Sequence, residues 1–254
     1  MKKKMSNAQE EQGDEIQKTL DTIEKQVKNG NNNLKELGFW KIVSKVKKDA
    51  SLIEKHADQI GRIDQKVFRE KALLPVDVKI GHTLEIIGAV FGVALISYAY
   101  KNSGTTMGIS FIISTLILMV ALHPLSHYVV GNHFKIKFTF YFLDGPAMIE
   151  PTLKTDYASY LKAAPKYRTT MHAVGPIVAT LTPLAIGLLA YASGAPNWSY
   201  LALMLISLGN IPIEIMPILV AKTGIKGILA EKTRKTDSYR ALREWRIYKE
   251  QKSV

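Results

Sequence analysis

The sequence predicts a mainly α, polytopic membrane protein: four transmembrane helices, a short β segment after the second, and a helical N-terminal region on the cytoplasmic side. Three observations predict it. Apolar runs occupy residues 80–100, 106–131, 171–192 and 199–221, and about 20 residues at 1.5 Å each cross the roughly 30 Å hydrocarbon core. Short turns join the first run to the second and the third to the fourth, so the runs pair as two antiparallel hairpins. The basic residues are distributed unevenly about those runs.

Of 34 Lys and Arg residues, 17 lie in 1–79, 6 in 132–168 and 10 in 222–254; the remaining one, Lys101, lies in the first turn. Four spans put both termini and nearly all of this charge on one side, which the positive-inside rule identifies as the cytoplasm. The expectation is therefore a multi-pass protein of the cell membrane with both termini cytoplasmic. The net charge of +12 has this origin, and no base-reading motif accompanies it, so nucleic acid is not an expected partner. There is no cysteine, which excludes disulfides and thiolate metal ligands. The first apolar run begins near residue 80, too late for a cleaved signal peptide, and reads as a retained span.

Residues 1–79 form the N-terminal unit. Ile16, Leu20, Ile23 and Val27 follow a 4-3-4 spacing, the seam of a short coiled coil or helical hairpin. Glycine and asparagines at 29–33 end it. Trp40, Val43, Val46, Ile53, Ile60, Ile63 and Val67 line a second amphipathic stretch. Two readings stand: helices packed on the protein's own core or the membrane surface, or a coiled coil that holds a protein partner. Residues 222–254 form a basic tail. Within it, 237–249 mixes Tyr239, Leu242, Trp245 and Tyr248 with four basic residues, which suits either a helix at anionic lipid head groups or a solvated tail.

The chemistry-bearing residues close the second span: His123-Pro124-Leu125-Ser126-His127. Histidines at i and i+4 share a helix face, so both imidazoles can reach one metal ion. Ionisable groups within a span are costly unless paired or functional. The bland alternative is two histidines satisfied by nearby carbonyls. His133, ten residues after His123, offers a local third ligand if Gly131 turns the chain back. Six histidines are too few for a desaturase-like di-iron site.

From these residues onward the chain resembles the site-2 protease family of intramembrane zinc metalloproteases, whose signature is a His-Glu-x-x-His helix. After His123–His127 comes the alternating segment 134–142, then a turn at Leu143-Asp144-Gly145-Pro146. The third span opens with His172-Ala173-Val174-Gly175-Pro176, like the family's Gly-Pro element, and the fourth holds Gly209-Asn210-Ile211-Pro212, like its asparagine segment. The likeness covers roughly residues 80–245 and implies zinc as cofactor. It departs from the family in two ways. Pro124 stands where the general-base glutamate belongs, and proline has no titratable group. The family's aspartate-glycine is also missing, leaving Glu214 and Asp237 as acidic candidates. The resemblance favours Asp237, which opens a helix. It therefore implies a pseudoenzyme: a metalloprotease-like scaffold with His123, His127 and either Asp237 or His133 around zinc, without ordinary peptidase activity. The competing class is a structural or accessory subunit of a membrane complex with no metal site.

Overall fold

The structure is a computed structural model that describes residues 2–144, 150–223 and 233–253. Its membrane part is four helices: α4 (Val78–Ala99), α5 (Gly104–His133), α7 (Pro165–Ala192) and α8 (Asn197–Thr223). All four are long and apolar enough to cross a membrane. Their outward faces carry Phe91, Leu116, Leu181, Leu188, Leu205 and Ile213, all exposed, as lipid-facing side chains must be. Each helix packs on its sequence neighbour, and α5 against α7 joins the two hairpins.

Polar side chains at these contacts meet backbone. Ser114 Oγ donates to the Gly92 carbonyl at 2.7 Å and Ser207 Oγ to Thr180 at 2.8 Å. Asn210 Nδ2 donates to the Ala179 carbonyl at 2.9 Å. That carbonyl needs a partner, because Pro183, four residues on, has no N–H to offer it. The two turn segments lie at one end of the bundle. Gly194 makes the second turn at φ 73°, a conformation that suits glycine.

At the other end sits a small antiparallel sheet in the order β1 (Val76–Asp77), β2 (Phe138–Asp144), β3 (Glu150–Thr155). The strand expected at 134–142 begins later because α5 continues through His133. Lys135 then adopts φ 62° and the Ile136 amide bonds back to the Gly131 carbonyl at 2.9 Å, a left-handed helix closure made without glycine. β3 is an edge strand, where Pro151 is tolerated despite lacking a donor. The expected turn at 143–146 lies partly outside the described residues. Asp156 then caps a short helix, α6 (Tyr157–Lys162).

The N-terminal unit is α1 (Lys2–Lys28), α2 (Phe39–Val46) and α3 (Ala50–Lys71). Ile16, Leu20, Ile23 and Val27 are all buried in one core with Phe39, Val43, Ile60 and Ile63. The hairpin reading needs correcting. Asp14 pairs with Lys55 and Glu24 with Arg62, so α1 and α3 run in the same direction, and α2 with its flanking turns returns the chain between them. The unit docks through α3 on α6, where Gly61 permits close approach: a Cβ there would lie 2.8 Å from the Ala158 Cβ. A buried ion pair, Asp64 with Lys154, ties α3 to β3.

The tail helix, α9 (Asp237–Lys252), is capped by Thr236. It packs along α7 and α8, with Ala241, Glu244 and Ile247 buried and Trp245 exposed. It is thus neither a solvated tail nor a helix lying only on lipid, because Glu244 must reach a buried arginine of α7.

Candidate metal centre

Histidines 123 and 127 lie two to three turns before the end of α5, on the face turned to α7. That face is open because α7 presents Gly175: a Cβ there would lie 2.3 Å from His127 Nε2 and 2.8 Å from His123 Cε1. The third span starts six residues earlier than its apolar run, at Pro165, a favoured first helical residue. This early start puts Arg168, His172 and Gly175 in one line along α7. Asp237 enters from α9, the helix packed against that line.

Three ligand atoms converge. His127 Nε2 is 3.2 Å from His123 Nε2 and 3.1 Å from Asp237 Oδ2, and His123 Nε2 is 3.4 Å from the same oxygen. The ring of His127 is fixed in one tautomer. Its Nδ1 lies 2.6 Å from the Met171 carbonyl, which can only accept, so Nδ1 carries the hydrogen and Nε2 presents a lone pair. A lone pair and a carboxylate oxygen at 3.1 Å repel unless a cation, proton or metal, lies between them. Donors on a tetrahedral ion at 2.0–2.1 Å are about 3.3 Å apart, and the three separations bracket that figure. The donor set, two imidazoles and one carboxylate, is one that zinc accepts. The residues fit the ion.

A further layer holds the carboxylate. His172 Nδ1 donates to Asp237 Oδ1 at 3.1 Å. Its Nε2 is then an acceptor, to which the Tyr160 hydroxyl donates at 3.0 Å. Such partners orient a ligand and tune its basicity. Burial works against the Asp237 charge, but the His127 imidazole beside it and hydrogen bonds from His123 and His172 hold its carboxyl well below the usual carboxylate range. The cavity in front of the cluster is lined by Pro124, Thr152, Thr155, His172 and Arg240, among others; among the described residues Asp237 is its sole carboxylate. Glu214 accepts from Ser238 Oγ at 2.5 Å, beside Asp237 in the chain, without lining the cavity.

Of the four candidate ligands, His123, His127 and Asp237 come together and His133 does not. Gly131 makes no turn; the helix runs on through it, leaving His133 about 15 Å along the axis from His123 and exposed, its ring against Phe134. His172 and Tyr160 had no assigned role in the sequence. One signal was available for His172: it precedes Gly175 by three residues, one helical turn, on the same face. Comparisons with family models, curated proteins and solved structures find no match for the chain.

Proposed function

We propose that this is an intramembrane metal-binding protein with a site-2-protease-like core, in which His123, His127 and Asp237 hold zinc and peptide-bond hydrolysis has been lost. The observation that carries the reading is the convergence of three donor atoms, at mutual distances of 3.1–3.4 Å, with the His127 ring oriented by the Met171 carbonyl of α7. The glycine packed against both imidazoles belongs to the Gly-Pro element through which the chain resembles that family. Zinc held by His123, His127 and Asp237 would supply Lewis-acid chemistry at this point.

The rest of the chemistry falls to the protein, and here it is deficient. His172 and Tyr160 hold the carboxylate still, and Gly175 leaves room for the rings. Pro124 lines the cavity but can neither take up nor deliver a proton. A positioned base is worth about 10²–10⁴-fold in rate, and no described side chain in the cavity replaces it.

The test is metal content of the purified protein. The expected result is one zinc per chain, lost in His123→Ala and in His127→Ala. Zinc retained by either variant would overturn the site. No zinc in the natural protein would favour the other class, an accessory membrane subunit whose cluster shares a proton instead.

A further inference from the structure

Asp237 is the one proposed ligand that does not belong to α5, so its position depends on what holds α9. Seven residues beyond it on α9 is Glu244. Seven residues are nearly two turns, about 10 Å and almost the same helix face. Both acids meet α7, where their partners are four residues apart: Asp237 faces His172, and Glu244 faces Arg168 with Nε to Oε2 at 2.8 Å. Glu244 and Arg168 are both fully buried. The other Glu244 oxygen takes the Lys47 ammonium at 2.5 Å and the Arg243 guanidinium at 3.1 Å.

Lys47 belongs to the N-terminal unit; it follows α2 directly, and only 4% of it is exposed. Tyr160 joins the two ends of this arrangement. Its hydroxyl holds His172, while its ring lies 4.8 Å from the Lys47 ammonium and 5.4 Å from the Arg168 guanidinium. The helix that delivers the carboxylate is therefore pinned to α7 at one end by the proposed ligand network and at the other by a buried charge cluster completed by the N-terminal unit.

Resting on the zinc reading above, we infer that Lys47, Glu244 and Tyr160 are positioning residues for Asp237, and that docking of the N-terminal unit and metal binding are coupled through α9. Removing one partner of a buried ion pair leaves the others uncompensated and is strongly unfavourable. Without Lys47, α9 sits less firmly on α7 and the carboxylate is less often in place. Coupling of this kind is reciprocal, so metal must tighten docking by the factor by which docking tightens metal.

Two variants and one measurement on the natural protein test it. Lys47→Met keeps the chain length and removes the ammonium. Tyr160→Phe removes only the hydroxyl and keeps the ring against Lys47 and Arg168. Zinc affinity is read by competition with a chromophoric chelator, and the visible spectrum of the cobalt-substituted protein reports on the ligand set. Both variants are expected to lose about 10- to 100-fold in affinity, the usual effect of disturbing a ligand's supporting partners. In the metal-free proteins, only Lys47→Met should also speed amide exchange in α2 and α3. In the natural protein, adding zinc should slow exchange in those helices. Natural protein that binds zinc, with Lys47→Met within twofold of it and no effect of zinc on α2 and α3, would overturn the coupling while sparing the metal site. Natural protein that binds no zinc would overturn both.

Discussion

Replacing Gly175 with alanine tests the centre without touching a proposed ligand. The new Cβ would sit 2.3 Å from His127 Nε2, whereas ordinary contacts begin near 3.4 Å. The ring must therefore retreat by about 1 Å, and its Nδ1 is already held at 2.6 Å by the Met171 carbonyl. Metal–ligand bonds tolerate about 0.2 Å, so a shift of this size would remove His127 from the proposed coordination shell. Disturbing a supporting partner alone costs 10- to 100-fold in affinity; losing a ligand should cost about 100-fold or more. The metal-free protein should lose at most about 2 kcal/mol of stability. Alanine favours a helix over glycine by about 1 kcal/mol, which offsets part of the roughly 1–3 kcal/mol of overpacking. The assay is chelator competition alongside thermal unfolding of the metal-free protein. Undiminished affinity would refute the packing argument. So would a loss of metal-free stability large enough to explain the change by itself.

Asp237→Ala should abolish bound zinc while His133→Ala leaves it intact, read by metal analysis of each purified variant. The natural protein, reconstituted in lipid, should cleave no membrane-embedded substrate; chelator-sensitive cleavage would show that another residue acts as base. Reporters fused after Asn31 and at Val254 should both report cytoplasm, and one within 193–198 the opposite side; an outward C-terminus would break the four-span topology. Acid should release the N-terminal unit of the metal-free protein. Burial opposes the Glu244 charge, but Lys47, Arg168 and Arg243 outweigh it and push the carboxyl from 4.5 down to about 2. Its folded pKa is depressed, so its contribution is complete above pH 4.5 and disappears as pH falls through about 2. Amide protection in α2 and α3, corrected for the slower intrinsic exchange in acid, should fall along that course, and protection unchanged at pH 2 would contradict it.

The spans could be read from sequence because the bilayer demands length and apolarity, which a chain displays without reference to its neighbours. His123 and His127 were readable for a similar reason: their relation is local, one helical turn. Asp237 was reachable only through a family likeness, since 110 residues separate it from His127. His172 and Tyr160 have meaning only once α9 lies on α7. The 4-3-4 seam of α1 identified a buried face, but a seam does not reveal the direction of its partner, and the partner proved parallel. β3 escaped because Pro151 is a strand breaker everywhere except at an edge. The run into His133 misled for the opposite reason: the glycine suggested a turn, and the helix closed four residues later with lysine in the left-handed position.

The bond from Asn210 to the Ala179 carbonyl bears on how the protein is made. A lone α7 entering lipid would carry a carbonyl stripped of its helical partner by Pro183, and such a group costs several kcal/mol in hydrocarbon. The remedy is on α8, which is synthesised afterwards. Pairing with α8 therefore relieves a cost that α7 would bear alone in lipid, and Asn210 is the side chain that meets this carbonyl.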